Sequence, residues 1–511
     1  MKIGRLILGD QLNHHHSWYA KVDANVVYFM AEMKQEATYV THHIQKVVAF
    51  FSAMRSFATH LENQGHTVVY YTLDDSRNQH TLTDNIKQVL KENSCETFEY
   101  QLPDEYRLDQ ELVRFRESGH IPTTAVDTEH FMTSRTDLSA FFEGKKQYTM
   151  EYFYRMMRKK YDLMMINDKD PEGGKWNFDQ SNRKKWKQDT LIPTEKTFKK
   201  DVTDLVTLLE NQGIKTIGNI NTKTFGWATT REESLTVLDY FCEYLLVHFG
   251  DYQDAMDPDQ AYLYHSRLSF AMNSKLLSPH EVVTTVISYW RSHQEEIDIS
   301  QVEGFVRQII GWREYMRGMY WMQMPEFASV NYLENNNPLP DFYWTGKTKM
   351  NCLKCSIHNS LDNAYAHHIQ RLMITGNYAL LTMTDPAEVD LWYLGIYIDA
   401  IEWVEITNTR GMSQWADGGK IATKPYVSSG SYINKMSIYC KGCHYKVSKK
   451  TGKDACPFNS LYWNFLDEKQ SFFKDNQRMR MMLSLLNKMD KDTLIKHKER
   501  AQDIIENPSN Y

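Results

Sequence analysis

The chain of 511 residues is too long for one ordinary hydrophobic core, so two or three domains are expected. The formal net charge of -6 excludes a globally basic nucleic-acid-binding protein, and any basic surface must be local. No segment approaches the roughly 18 consecutive apolar residues of a membrane span, and the N-terminal apolar run breaks at Asp10, too early for a secretory signal. A cytoplasmic location is therefore expected, where the seven cysteines are thiols or metal ligands.

Residues 1–130 alternate between strand and helix patterns. Short apolar runs predict strands at 3–8, 26–30, 68–73, 98–102 and 124–126. Helical spacing predicts helices at 43–61, 82–90 and 112–116. This alternation predicts an α/β domain with a doubly wound parallel sheet.

Two loops of this domain are candidate binding loops, because ligands of such sheets bind at the C-terminal ends of the strands. The first loop follows the first strand and contains Gly9, Asp10, Gln11 and Leu12. The second follows the second strand and runs from Glu32 to Glu36. Simple turns are the alternative interpretation, and the absence of G-x-G-x-x-G excludes the dinucleotide fingerprint.

Residues 131–228 have the composition of an interdomain linker that contains helices. A predicted basic helix at 150–161 is followed by Gly, Pro and charge without periodicity at 171–179. A further basic run comprises Arg183, Lys184, Lys185 and Lys187. Together with Trp176 and Trp186, this run suits contact with a phosphate backbone, and an ordinary solvated surface is the alternative.

Residues 229–511 show an almost entirely helical pattern and predict one large all-α domain. The predicted helices lie at 232–248, 278–294, 302–319, 361–373, 387–404, 479–489 and 491–506.

Five cysteines of this second half are grouped in two regions. Cys352 and Cys355 lie in one region, and Cys440, Cys443 and Cys456 lie in the other. Four gathered thiolates suit a structural zinc ion or an iron–sulfur cluster, and the spacing does not choose between them. Unliganded core cysteines are the alternative.

Three further segments contain polar groups suited to ligand binding. The H-S-R-L-S segment at 265–269 offers donors for a diphosphate, and Trp312 and Arg313 lie on an otherwise apolar helix. His367 and His368 point about 100° apart on a helix, so at most one faces a given cavity. Asp399 and Glu405 lie among aromatic residues, where carboxylates are costly unless they bind something. Satisfied polar residues and core packing are the alternatives.

Taken together, these motifs resemble the photolyase/cryptochrome superfamily, and within it the bacterial iron–sulfur (6-4) photolyases. The resemblance covers nearly the whole chain. Its motifs are L-I-L-G-D-Q-L at 6–12, H-F-M-T-S-R at 130–135, G-G-K-W-N-F-D at 173–179, S-R-L-S at 266–269, G-W-R-E-Y at 311–315, A-Y-A-H-H-I-Q-R-L-M at 364–373, Y-C-K-G-C-H-Y at 439–445 and C-P-F-N at 456–459. Each motif alone is loose, and in this order they are specific.

The resemblance implies three cofactors: FAD in a U-shaped form and a [4Fe-4S] cluster in the helical domain, and the antenna 6,7-dimethyl-8-ribityllumazine in the sheet domain. The implied FAD contacts are Ser266, Arg267, Leu268, Ser269, Trp312, Arg313, Asp399 and Glu405. The implied cluster ligands are Cys352, Cys440, Cys443 and Cys456, with Cys355 as an extra thiol. The implied electron-transfer route comprises Trp392, Trp344 and Tyr393. The implied antenna contacts are Gly9, Asp10, Gln11, Leu12, Glu32 and Glu36.

The resemblance also implies light-driven repair of (6-4) pyrimidine–pyrimidone photoproducts in UV-damaged DNA by a monomeric enzyme, with the electron coming from reduced FAD. The oxygen that migrates back between the bases needs a proton donor. The implied donor is His367 or, preferably, His368, and Tyr426 would line the same pocket. Since a cyclobutane dimer needs no such donor, the His pair favours (6-4) repair. The alternatives are a blue-light photoreceptor without repair activity, a cyclobutane-dimer photolyase, and a cluster-containing nucleic-acid-binding protein without flavin.

Overall fold

The computed structural model describes residues 1–182, 184–186 and 190–511. Its strands are β1 (Ile3–Leu6), β2 (Val26–Ala31), β3 (Thr67–Tyr71), β4 (Thr97–Gln101) and β5 (Thr123–Val126). They form one parallel sheet in the order β3-β2-β1-β4-β5. The predicted doubly wound parallel sheet is confirmed, because the chain builds outward from β1 in both directions.

Helices cover both faces of the sheet. They are α1 (Lys34–Thr38), α2 (Ile44–Asn63), α3 (Leu82–Glu92) and α4 (Tyr106–Glu117). Tyr28 and Met30 of β2 join the main core with α2, whereas Phe29 between them joins a smaller core with α3 and α4. This explains why β2 is buried at every position and shows no polar alternation. The main core continues into the helices that follow, so α2 lies between the sheet and the helical part.

After β5, helices are the main regular elements of the described residues. They are α5 (Asp137–Phe141), α6 (Met150–Lys160), α7 (Thr203–Asn211), α8 (Arg231–Tyr240), α9 (Leu246–Tyr252), α10 (Ser269–Asn273), α11 (Pro279–Arg291), α12 (Ile299–Val306), α13 (Glu314–Gln323), α14 (Phe342–Thr345), α15 (Asn351–Asn363), α16 (His368–Gln370), α17 (Asn377–Leu381), α18 (Pro386–Ile396), α19 (Glu402–Ile406), α20 (Gly430–Met436), α21 (Pro457–Lys469), α22 (Arg480–Asn487) and α23 (Lys491–Glu506). The predicted helical second half is confirmed, and the domain boundaries at residues 130 and 228 stay predictions. None of the helices in the described ranges has the length and apolar composition needed to cross a bilayer.

Wider π-helical turns interrupt four of the helical runs. They are Phe241–Leu245, Arg307–Arg313, Arg371–Gly376 and Thr407–Ser413. The last two pack so closely that a Cβ on Gly376 would lie 2.1 Å from Ser413 Oγ, which requires glycine there. Such turns are frequent at functional sites, and three of these four adjoin residues predicted to bind a ligand.

Two predicted helices are wrong, because each is divided by a break. The helix predicted at 361–373 ends at Asn363, where Ala364 adopts a left-handed conformation (φ 51°), and α16 begins only at His368. The helix predicted at 387–404 divides into α18 and α19. The Ile398 amide donates to the Ala364 carbonyl (2.9 Å), so the two breaks lie side by side.

The end of α15 is fixed by residues from the sheet part of the chain. The carbonyl of Leu361 is hydrogen-bonded to His43 Nε2 (2.8 Å), and the carbonyl of Asp362 accepts from Gln45 Nε2 (2.7 Å). If α15 continued, these two carbonyls would accept hydrogen bonds from amides of the next turn, and here the side chains of His43 and Gln45 are their partners instead. Because the partners are more than 300 residues away, local periodicity contains no sign of the break.

Candidate active site

The two helix breaks bring together a largely buried ion pair. Asp399 lies between α18 and α19, and Arg371 begins the π-helical turn after α16. Arg371 Nη2 lies 3.0 Å from Asp399 Oδ1, and its guanidinium stands 3.8 Å above the Tyr397 ring. Arg371 is absent from the predicted site residues. An arginine three positions after His368 on an apolar segment is itself a signal, because a buried guanidinium needs a carboxylate partner.

The two adjacent histidines have different surroundings. His367 is buried at the start of α16, both its ring nitrogens lack a hydrogen-bond partner in the described structure, and its ring stacks on His265 (centroids 4.7 Å, 11°). Burial and the neighbouring His265 lower the pKa of His367 well below its usual range. His368 is accessible to solvent, yet surrounding atoms and Arg371 lower its pKa to about 4. His368 is therefore the one of the pair that faces solvent, and Tyr426 lies half-buried before α20.

The H-S-R-L-S segment presents an arginine held by aromatic rings. Arg267 has a φ of 58°, and its guanidinium lies 4.5 Å from the Trp227 ring and 4.3 Å from the Tyr262 ring. The predicted neighbours close the turn: Ser266 Oγ accepts from the Leu268 amide (3.4 Å), and Ser269 begins α10. His265, Ser266 and Arg267 line a cavity that contains about 940 Å³ of space not filled by atoms.

Unpartnered buried polar atoms mark this region as a binding site. Such atoms are rare in folded proteins. Two neighbouring segments of the described structure contribute them: His265 Nε2, Arg267 Nε and both ring nitrogens of His367. FAD offers phosphate oxygens to cationic donors and ring edges to mixed donors and acceptors, so this set of residues fits FAD.

Arg313 supports the same region from the other side. Its Nη2 donates to Asn273 Oδ1 (3.2 Å), and Asn273 Nδ2 donates to the Asp399 carbonyl (2.7 Å). Burial lowers the pKa of Arg313 to about 10, and two of its nitrogens lack a hydrogen-bond partner in the described structure. Trp312 lies half-buried beside Tyr315, with ring centroids 6.0 Å apart.

Glu405 is a buried acid whose surroundings favour the protonated form. Burial, followed by the neighbouring Asp390, raises its pKa well above the usual range. Its Oε1 accepts a hydrogen bond from the Thr409 hydroxyl one turn later. A protonated carboxyl can donate a hydrogen bond to a cofactor, which a carboxylate cannot.

Aromatic rings connect the interior to the surface. Trp392 is buried, with its ring centroid 5.2 Å from that of Tyr393 and 5.0 Å from that of Tyr343. Trp344, the next residue after Tyr343, is 43% exposed. The Tyr393 hydroxyl donates to the Arg371 carbonyl (2.7 Å), which places the inner end beside the ion pair. Tyr343 is a step that the sequence did not indicate, because only tertiary packing puts it between the two tryptophans.

Four cysteines from three segments line one cavity. Cys352 lies on α15, Cys440 and Cys443 lie in and after the 3₁₀ turn Tyr439–Gly442, and Cys456 precedes α21. The cavity contains about 320 Å³ of space not filled by atoms. Cys355 does not line it, and its thiol donates to Asn351 Oδ1 (3.6 Å). No group of three or more His, Cys, Asp or Glu side chains in the described ranges is spaced to hold a single metal ion.

Residues 5–225 match the family model of deoxyribodipyrimidine photo-lyase-related proteins. The chain is 41% identical over 500 residues to a (6-4) photolyase of Agrobacterium fabrum, with 97% of each chain covered. The protein belongs to the (6-4) photolyase family.

Solved structures of the superfamily share the fold. A bacterial class III photolyase from Agrobacterium tumefaciens superposes with a TM-score of 0.56 at 14% identity, covering 100% of this chain and 98% of that one. A cryptochrome from Synechocystis gives a TM-score of 0.53 at 12% identity, covering 96% and 99%. The predicted combination of a parallel sheet and a helical part is thus confirmed as the photolyase/cryptochrome fold.

The sheet of this photolyase family member has a large cavity at the C-terminal ends of β1, β2 and β4. About 990 Å³ of space is not filled by atoms there. Of the predicted antenna residues, Gly9, Asp10 and Glu36 line it, together with Lys46 and Glu105. The strand order reverses direction at β1, so the cavity lies where doubly wound sheets bind ligands. Burial, with Glu402 nearby, raises the pKa of Glu105 to about 8.

The other predicted antenna residues lie outside the cavity lining and hold the surrounding loops. Glu32 is fully buried and forms an ion pair with Arg55 (2.6 Å). Gln11 Oε1 accepts from the Leu8 amide (3.0 Å), and the Leu12 amide donates to the Ser274 carbonyl (3.0 Å).

Two buried lysines join the sheet part to the helical part. One reaches from the sheet part to the helices, and the other reaches from the helices to the sheet part. Lys46 of α2 donates to the Leu394 carbonyl of α18 (2.8 Å). Lys275, after α10, reaches back to Asp10 (3.0 Å) and Asp104 (2.6 Å). Both aspartates line the cavity beside β1, so a residue from the second half of the chain pairs with the acids of its wall.

The basic linker is less available than the sequence indicates. Trp186 is buried with its edge toward Tyr252 (centroids 5.1 Å), so it belongs to the core and cannot stack on a base. Lys184 pairs with Asp251 (2.7 Å), and Lys185 Nζ donates to the Asn434 carbonyl (3.3 Å). Arg183 and Lys187 lie outside the described residues.

Proposed function

We propose that this protein is a light-driven DNA repair enzyme that reverses (6-4) pyrimidine–pyrimidone photoproducts. The carrying observation is His368, an imidazole accessible to solvent, three residues before Arg371 of the Arg371–Asp399 ion pair. The 41% identity to a (6-4) photolyase over nearly the whole chain supports the substrate class.

The chain's own residues would bind FAD, orient it and move a proton. Reduced FAD, excited by blue light, supplies an electron to a lesion flipped out of the duplex. Ser266 and Arg267 would bind its phosphates, and the Arg371–Asp399 pair would fix the ring edge. Glu405, whose pKa is raised by burial, would donate a hydrogen bond to the cofactor in its protonated form. His368 would donate the proton that the migrating oxygen needs.

We further propose that the four cysteines bind a [4Fe-4S] cluster. The support is that all four line one cavity, and that four thiolates are the usual ligand set of such a cluster. Cys355 is excluded from this ligand set because its thiol is directed to Asn351.

The cavity of the sheet suits the lumazine antenna. Its walls are mainly apolar, and their polar groups include Asp10, Glu36, Lys46, Asp104 and Glu105. An apolar slot with a few donors and acceptors fits an uncharged, planar heteroaromatic ring. Trp344, Trp392 and Tyr393 would conduct electrons from the surface to the flavin. The monomeric state and the cytoplasmic location stay predictions.

The exposed face of α6 offers a contact for the DNA backbone. An open concave surface contains Lys145 and Lys159, together with Tyr152, which is 60% exposed. Lys145 Nζ lies 3.9 Å from the Phe141 ring centroid, and Lys159 Nζ lies 5.4 Å from that of Trp176. Basic side chains interleaved with aromatic rings suit a nucleic acid strand.

Charge reversal on this face is expected to weaken DNA binding. For Lys145→Glu with Lys159→Glu, the slope of log affinity against log salt should decrease by about 2, because two phosphate contacts are lost. Fluorescence anisotropy with a labelled oligonucleotide at several salt concentrations measures this slope. The control is Lys491→Glu with Lys496→Glu on α23, which changes the net charge by the same amount on a different surface. An equal change in both double variants would show a general charge effect and contradict the contact.

The test of the proposed function uses purified protein reduced under blue light. It is mixed with single-stranded oligonucleotides carrying one (6-4) lesion or one cyclobutane dimer, and products are separated by chromatography after light or darkness. We expect light-dependent restoration of the (6-4) strand alone. Restoration of only the cyclobutane strand would overturn the substrate assignment. No repair of either strand, with the flavin still photoreducible, would favour the photoreceptor.

A further inference from the structure

The cysteine cavity and the His pair are joined by a buried hydrogen-bonded connection. Tyr439 lines the cysteine cavity, directly precedes Cys440 and is fully buried. Its hydroxyl accepts a hydrogen bond from Gln370 Nε2 (2.9 Å), and Gln370 is also buried. The Tyr439 carbonyl accepts from Asn351 Nδ2 (2.9 Å), one residue before Cys352. Tyr439 is therefore fixed to two of the three cysteine-bearing segments.

Gln370 also fixes the start of the helix that presents His368. Its Oε1 accepts from the His367 backbone amide (3.2 Å) and from Asn359 Nδ2 (3.3 Å). His367 is the N-cap of α16, and the Gln370 side chain three residues later supplies one half of a capping box by accepting from the N-cap amide. α16 is the first turn of a helical run that continues through Arg371–Gly376 and α17. The Gln370 side chain thus helps to fix the first turn, from which His368 projects.

We propose that Tyr439 and Gln370 are positioning residues that couple the cysteine site to the His pair. The four cysteines would then serve repair by holding the proton-donating imidazole in place. This role is independent of any electron transfer to or from the metal centre. This inference rests on the proposed function and names a structural role for the cysteine site within it. The connection runs from the Cys440 segment through the Tyr439 hydroxyl and the Gln370 amide to the His367 amide.

The chain offers a closely matched control. Tyr378 is as deeply buried in the same core as Tyr439, but its hydroxyl has no hydrogen-bond partner in the described structure. Tyr439→Phe and Tyr378→Phe therefore remove the same atom from similar surroundings. Only Tyr439→Phe leaves Gln370 Nε2 without its tyrosine acceptor, and it thereby loosens the side chain that accepts from the His367 amide.

The experiment compares iron content, flavin photoreduction and single-turnover (6-4) repair in the two variants. Tyr439→Phe is expected to keep its iron and its photoreduction while repair slows by about 10- to 100-fold, since small misplacements of a catalytic group have effects of this size. Tyr378→Phe is expected to repair at the wild-type rate. Gln370→Met should reproduce the loss, and the double variant with Tyr439→Phe should be no slower than either single variant, because both break one connection.

Three outcomes would overturn the coupling: repair at the wild-type rate in Tyr439→Phe, loss of iron together with repair, or an equal loss in Tyr378→Phe. A second readout is independent of repair. NMR of protein with ¹³C-labelled histidine, with the His368 signals assigned by their loss in His368→Ala, should show those signals shifted in Tyr439→Phe and unshifted in Tyr378→Phe. If the wild-type protein repairs no (6-4) lesion, the proposed function has failed, and these shifts alone then decide the coupling.

Discussion

His368→Ala is expected to lower the rate of (6-4) repair by about 10²- to 10⁴-fold, the contribution typical of a general acid, while light-driven flavin reduction is unchanged. The imidazole of His368 faces solvent, whereas that of His367 is enclosed against His265. Because the pKa of His368 is about 4, its ring is neutral near pH 7 until the DNA binds. A phosphate of the flipped lesion would raise this pKa, since a nearby anion favours the charged ring.

The measurement is single-turnover repair with prereduced protein, beside the rate of flavin reduction in light. His367→Phe serves as the matched variant, because it keeps a flat ring against His265 and removes only the enclosed imidazole. We expect this variant to lose less repair activity than His368→Ala. An equal loss of repair and of flavin photoreduction in His368→Ala would mean that His368 only maintains the structure.

Cys352→Ser is expected to yield protein without iron and with a greatly reduced free energy of unfolding. In sites built from ligands on separate segments, the energy of metal binding is folding energy, on the order of 10 kcal/mol, which is comparable with the stability of a whole domain. Cys352 lines the cavity between α15, the Tyr439–Gly442 turn and α21, so these three segments would lose their common attachment.

Cys355→Ser is the internal control, because Cys355 lies on the same helix and outside the cavity lining. This variant should retain its iron and its unfolding midpoint. Iron analysis and denaturant unfolding measure the two quantities. Iron loss in Cys355→Ser equal to that in Cys352→Ser would show that the fourth ligand had been assigned to the wrong thiol.

The sheet could be predicted because its signals are local. The buried run V-V-Y-F-M-A of β2 is apolar at every position, as a strand covered on both faces requires. The C-x-x-C spacing likewise predicts a metal site, which stays a prediction. Whether Cys352 or Cys355 would complete it depends on the direction of Cys355 on α15, and periodicity does not contain that direction.

The parts of the site that were missed depend on contacts distant in sequence. Arg371 and Asp399 meet only because α15 and the α18–α19 run both break, and the first break is capped by His43 and Gln45 from the sheet part. Trp186 was assigned to a binding surface from its basic neighbours, yet its ring is buried against Tyr252. The sequence neighbours of a residue show that a segment is basic. They do not show which of its side chains are exposed in the folded protein.

The paired lysines at the junction have a consequence for engineering. A chimera that took its sheet from one relative and its helices from another would have to preserve two contacts at once. These are the hydrogen bond from Lys46 to the helical part and the ion pairs of Lys275 with the sheet part. If Lys46 met no carbonyl, or Lys275 met no carboxylates, a buried charge would remain without a partner, a change that commonly costs about 3–5 kcal/mol. For the proposed antenna, new colours are therefore better sought by redesigning the cavity lining within this chain than by exchanging whole segments between relatives.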